Sequence, residues 1–136
     1  MSNISAYAEK QMMDWSTRNV VPGSVATRGV GLSLGAPSST SGSEMATGSG
    51  YTRLACGTTG FSTASSPAGT TKIATALTFG PFQTTYSITG LQIWDTTGVA
   101  IDTGNMLWYG NLATARTVAS GDSLVIAVDA LTLTLA

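Results

Sequence analysis

The 136-residue sequence contains no histidine, a single cysteine, four prolines, and charged side chains at only 10% of its positions. An average soluble domain carries about 25% charge. Without imidazole there is no Ser-His-Asp or Cys-His machinery, no histidine general base and no zinc site of the histidine-containing kinds. One cysteine, Cys56, excludes an intrachain disulfide and a cysteine-rich metal site. Six Lys and Arg against seven Asp and Glu cannot lay down the basic footprint of a nucleic-acid binder. No apolar run approaches the ~20 residues of a membrane span. The opening Met1–Ser2–Asn3–Ile4 lacks the basic region and apolar core of a secretory signal. The expectation is a soluble protein made in a cytoplasm, with no cofactor, no metal, no nucleic-acid partner and no membrane partner.

What is present is a hydroxyl-rich chain: 54 of the 136 residues are Ser, Thr or Gly, while 43% are hydrophobic. The length fits one domain, and a chain of ~150 residues buries about two-thirds of its unfolded surface. Thr favours strands and Gly and Ser favour turns, so the bias points to β structure.

A helical period occurs only at the start. Ile4, Tyr7, Ala8, Gln11, Met12 and Trp15 follow the amphipathic spacing, with Glu9, Lys10 and Asp14 on the other side. Ser2 or Asn3 offers a cap, and Pro22–Gly23 stops the segment. A helix of ~12 residues is marginal alone in water, so its Met and aromatic stripe must pack on something. That something is either the domain's own sheet or a neighbouring subunit. Residues 1–22 thus form a helix and linker, and residues 23–136 a single β domain.

Ala26–Leu34 reads as a strand, followed by the Ser/Gly/Thr stretch Gly35–Gly50, which is expected to bury almost nothing and to form a long exposed loop. A second such loop spans Ser62–Thr71, with the short strand Tyr51–Cys56 between. Further strands are expected at Ile73–Phe79, Tyr86–Trp94, Asn105–Leu112, Ser123–Val128 and Ala130–Leu135. Asn105–Leu112 is apolar on both faces, which predicts a central strand buried on two sides. About seven short strands separated by Gly-containing turns, with one short N-terminal helix, predict a mainly β fold, an antiparallel β-sandwich or barrel. No period of 20–50 residues repeats.

Little catalytic chemistry survives scrutiny. Gly121–Asp122–Ser123–Leu124 spells the GDSL esterase motif, but it sits near the end of a β pattern in a chain without histidine, and reads as a turn with Gly121 at positive φ. Asp95 and Asp102 form neither a carboxylate pair with a cleft nor a calcium loop, and read as turn residues. Trp94, Trp108 and Tyr109 have the character of a sugar-stacking surface, with core packing as the plainer account. Cys56 reads as a small buried hydrophobe. Arg28, Arg53 and Arg116 are scarce charges, able to clamp a carboxylate across a subunit boundary or to stay solvated and locally paired.

The order of features resembles a known family. The helix AYAEKQMMDW precedes a strand, a loop ending in Gly48–Ser49–Gly50–Tyr51–Thr52–Arg53, and Leu77–Thr78–Phe79–Gly80–Pro81. Ile88–Thr89–Gly90–Leu91–Gln92–Ile93–Trp94–Asp95, Gly104–Asn105–Met106–Leu107–Trp108–Tyr109–Gly110, Gly121–Asp122 and the terminal Leu131–Leu135 segment complete it. Over nearly its whole length the chain is similar to small tailed-phage virion proteins often labelled "phage tail fiber protein", some of which resemble capsid cement or decoration proteins. The resemblance implies a non-enzymatic virion protein. On it rests the expectation of a cement subunit on the capsid exterior that binds the major capsid protein and itself, as a homotrimer, and stabilises the shell. The alternative is a tail-fibre or tail-tip module that recognises host glycan. The residues expected to touch a partner are Tyr7, Met12 and Trp15 on the helix, Ala36 at the start of the long loop, and Arg53 and Arg116.

Overall fold

The computed structural model describes residues 2–23, 25, 27–57, 59–65, 69–97 and 103–135. Along them run β1 (Ser2–Ile4), α1 (Ala6–Arg18), β2 (Arg28–Ser33), β3 (Leu54–Cys56), β4 (Thr70–Lys72), β5 (Leu77–Phe79), β6 (Tyr86–Trp94), β7 (Met106–Val118), β8 (Leu124–Ile126) and β9 (Thr132–Thr134). Every pairing is antiparallel: a five-stranded sheet in the order β1-β7-β6-β2-β3, and two-stranded sheets β4-β9 and β5-β8. The mainly β, sandwich-like architecture with one N-terminal helix agrees with the sequence reading. Two strands are additional, β1 and β4, each too short to carry an alternation of its own.

Register places the layers. Val30 pairs with Ile93, Ile93 with Trp108 and Trp108 with Ile4, so these four share one face of the large sheet, beside Leu32 and Leu91. That face turns toward the small sheets. The core gathers Val30 and Leu32 with Ile73, Leu77, Phe79 and Ile126. Tyr51 stacks on Phe79 at 6.1 Å between ring centroids. Burial of each such side chain contributes about 1.5–3 kcal/mol, which drives the two layers together.

The opposite face of the large sheet carries Gln92 and Trp94, and here the structure corrects the sequence reading. The Gly35–Gly50 stretch does not stay in solvent. It folds down as a cover, with Pro37, Gly42, Glu44 and Met45 buried. Met45 N–H donates to Leu32 O at 2.8 Å. Gln92 Nε2 donates to Ser33 Oγ and Gly42 O, and Trp94 Nε1 donates to Gln92 Oε1 at 2.9 Å. The short Ser/Gly side chains let backbone approach the sheet closely enough to satisfy these buried polar groups. At Gly42 a Cβ would lie 2.8 Å from both Gln92 Oε1 and Trp94 Cζ2. The second loop keeps exposed Ser and Thr up to residue 65, but its last residues pair as β4 with β9, and residues 66–68 lie outside the described set. The same holds for Ala26, the expected start of the first strand.

β7 is also corrected. It is not the doubly buried centre of the sheet but the second strand from the edge, with residues 113–117 exposed. Its apolar side chains at 107–109 are half-buried. β6, whose bounds agree with the expected Tyr86–Trp94, is the more buried strand and lies at the centre of the sheet.

Candidate interaction site

α1 is capped at both ends and leaves its apolar side chains uncovered. Ser5 caps it, with Ala8 N–H donating to Ser5 Oγ at 3.2 Å, so the cap falls later than the expected Ser2 or Asn3. Ile4 belongs to β1 and not to the helical stripe. Asn19, in the left-handed conformation at φ 54°, ends the helix before Pro22–Gly23 is reached. Asp14 receives Lys10 Nζ at 2.5 Å and Arg18 Nη1 at 3.4 Å. These cations hold its carboxyl below the usual carboxylate range, the Lys10 hydrogen bond acting most strongly.

The N-terminus of α1 is pinned to the body. Ser5 Oγ donates to Met106 O, Ser5 N–H to Leu107 O at 3.0 Å, and Ala6 N–H to Ser39 O at 3.0 Å. Beyond that anchor the helix buries none of its residues. Met13 is 62% exposed and Trp15 55%, with Tyr7 and Met12 exposed as well, followed by Val20 and Val21 in the linker. Those six are the majority of the ten large exposed hydrophobic residues among the described ones, so the uncovered apolar surface is concentrated in the N-terminal arm. Of the two readings open from sequence, packing on the domain's own sheet is therefore not what the structure displays.

The arginines part company. Arg53 is 5% exposed and its partner Glu44 6%. Arg53 Nε and Nη2 each donate to Glu44 at 2.6 Å in a bidentate pair. Nη1 donates to Thr103 O at 2.6 Å and Thr96 O at 3.2 Å, and the guanidinium lies 4.1 Å above the Trp94 ring. Tyr51 Oη donates to Glu44 Oε1 at 2.9 Å and accepts from Leu32 N–H at 3.0 Å. Burial pushes the Tyr51 phenol far above its ordinary range. The structure thus gives Arg53 an intrachain carboxylate, so the cross-subunit contact expected of it is replaced by a buried clasp between the loop cover and the sheet. Arg116 and Ala36 are exposed.

The aromatic trio separates too. Trp94 is buried beneath Arg53, consistent with core packing. Trp108 is half-buried and lines a cleft of about 780 Å³ between the two layers, with Ile4, Leu91, Ile93, Leu131 and Leu133. The cleft lies where the edge strands β1 and β9 face each other without pairing. A smaller space of about 280 Å³, ending at Arg28 and Phe61, shares Ile93, Trp108 and Leu133 with it. This apolar opening went unforeseen. The signal for it in the sequence is the two-sided apolar run at 105–112, a pattern that reads equally as core.

Reactive chemistry is sparse. Among the described residues no group of three or more His, Cys, Asp or Glu is placed to hold a metal. Asp95 accepts from Asn105 N–H and Nδ2, each at 2.8 Å, which makes it a turn residue, while Asp102 lies outside the described residues. Gly121 has φ 91° in a turn, with its N–H donating to Phe82 O at 2.7 Å. Cys56 is buried, and desolvation raises its thiol pKa. No helix among the described residues is long and apolar enough to cross a membrane.

No curated protein matches the sequence. Residues 3–134 match the family described as Podophage GP4 fiber I protein gp80. The match takes in the helical arm, the loop cover and both small sheets. The chain belongs to that family, and it is a phage virion structural protein of the fibre-named kind.

Proposed function

We propose that the chain is a non-enzymatic fibre subunit that joins the phage particle through its N-terminal arm, leaving the sandwich displayed. The observation that carries this reading is α1, which is capped and anchored at its start yet leaves Met12, Met13 and Trp15 in solvent. An amphipathic helix so short gains its stability from a packed apolar face, and among the described residues Met12, Met13 and Trp15 of that face stay exposed. The fibre name of the family favours a tail or fibre position.

The second reading is the capsid cement subunit on the particle exterior, bound to the major capsid protein as a homotrimer. It is favoured by the loop at 35–50, which is clasped onto the sheet by Glu44 and Arg53 and not held out for receptor capture. Burial of Trp94 likewise removes one residue from a glycan-stacking platform. Cryo-EM of intact virions separates the positions: density on the tail or on fibres supports the first reading, and density at local threefold points of the shell supports cement. In either place the double variant Met12→Ser/Trp15→Ser is expected to be lost from purified virions while retaining its β-sheet circular dichroism. Incorporation of that variant at the wild-type level refutes attachment through the arm.

A further inference from the structure

We propose that the recess beneath Arg28 binds an acidic monosaccharide unit of a glycan, with the carboxylate on the guanidinium and the sugar ring against Trp108. This goes beyond attachment through the arm and does not depend on it. The recess is the smaller space of about 280 Å³, and it adjoins the larger cleft at Ile93, Trp108 and Leu133, which line both. Together the two exceed the ~300 Å³ at which small-molecule sites begin.

Arg28 stands where the strand pattern calls for an apolar residue. It lies two positions before Val30 and four before Leu32, both fully buried, so the three side chains share the face of β2 that meets the small sheets. Inward charges on an edge strand guard against stray pairing, but β2 has β3 on one side and β6 on the other. Arg28 is half-buried, and among the described residues no hydrogen bond and no carboxylate engages its guanidinium. Arg53, by contrast, meets Glu44, two carbonyls and the Trp94 ring. No Asp or Glu lines either space, and Arg28 is the one charged residue of both linings. A cation held partly out of water without a counter-charge costs free energy, which an incoming anion offsets.

The rest of the recess selects among anions. Trp108 offers an aromatic surface of the kind that packs on the C–H face of a pyranose. Ser62 Oγ accepts from Lys72 N–H at 3.0 Å, and Thr71 Oγ1 donates to Ser62 O at 2.5 Å, so each oxygen keeps a lone pair for a ring hydroxyl. The adjoining cleft adds the neutral polar groups of Asn3, Asn111 and Thr132, which suit the next unit of a sugar chain. An acidic peptide side chain brings the carboxylate alone and leaves these hydroxyls and amides unmatched.

The test titrates full-length protein with galacturonate, glucuronate and sialate oligosaccharides of two to four units, followed by calorimetry and tryptophan fluorescence. At least one is expected to bind, and to lose about 10-fold or more in affinity when its carboxyls are methyl-esterified. Arg28→Gln is expected to weaken binding as much while retaining its β-sheet circular dichroism. Ser62→Glu, at an exposed position of the recess lining, supplies an intrachain carboxylate and is expected to weaken binding too. Arg116→Gln, exposed and lining neither space, is expected to bind as wild type. Wild type silent to the whole panel at ~10 mM, esters that bind as tightly as the acids, or both recess variants binding undiminished each overturns the proposal. An aspartate-containing tetrapeptide that binds the recess as tightly as the oligosaccharide assigns it to protein carboxylates and overturns the saccharide. Met12→Ser/Trp15→Ser is expected to bind the oligosaccharide as wild type does, whatever its incorporation into virions, so the recess and the arm are judged separately.

Discussion

Replacing Arg53 by Met tests whether the clasp between loop cover and sheet depends on charge. Met keeps much of the length and apolar character of the Arg stem while deleting the guanidinium, so Trp94 retains a neighbour and Glu44 loses its bidentate partner. Removing one member of a buried pair leaves an uncompensated charge at a cost of about 3–5 kcal/mol. The carbonyls of Thr96 and Thr103 lose a donor in the same step. A domain of this size has a total stability of roughly 7–20 kcal/mol, so the variant is expected to lose a large share of it. In urea, at a slope of ~2 kcal/mol/M, the midpoint falls by about 2 M, and the thermal midpoint falls by roughly 10–20 °C. Equilibrium urea unfolding followed by tryptophan fluorescence reads the first quantity. The double variant Glu44→Gln/Arg53→Met is expected to be more stable than Arg53→Met alone, because the stranded carboxylate is gone. An Arg53→Met cost below ~1 kcal/mol, the range of exposed pairs, refutes the buried-clasp argument. So does a double variant that is less stable than the single.

Two further outcomes follow from the same region. Because burial raises the Tyr51 phenol above its unfolded value of ~10, its contribution is complete below pH ~10 and is lost as pH rises beyond that. Urea midpoints measured from pH 8 to 11 are expected to fall less steeply in Tyr51→Phe than in wild type, and equal slopes contradict the assignment. Gly50, at φ +85°, has the Pro81 carbonyl oxygen where a Cβ would stand and Phe82 Cα at 2.9 Å. Gly50→Ala is expected to lose about 2 kcal/mol or more from backbone strain and overlap, and a urea midpoint within error of wild type refutes it.

The sequence exposes what is local and periodic. The helix was legible because its stripe repeats over three turns, and Tyr86–Trp94 because a run of that length admits few other conformations. The Gly121 turn was legible from residue chemistry alone. β1 and β4 were not, since three residues carry no period and their partners lie far along the chain, in β7 and β9. The cover formed by residues 35–50 was missed for a different reason. Its composition is that of a loop, and its burial depends on Met45 and on the meeting of Glu44 with Arg53, a tertiary event with no local signature. For the candidate site, Tyr7, Met12 and Trp15 were visible as an unspent apolar stripe, whereas the cleft was not. Apolar residues that line an opening read the same as those that fill a core.

The pairing of β1 with β7 has a consequence for synthesis. Ser2–Ile4 leaves the ribosome long before Trp108–Gly110, its partners in the sheet. At roughly 5–20 residues per second, the roughly hundred intervening residues take on the order of 5–20 s to emerge. Throughout that interval the nascent arm has no sheet to anchor it, and Met12, Met13 and Trp15 travel on an untethered segment.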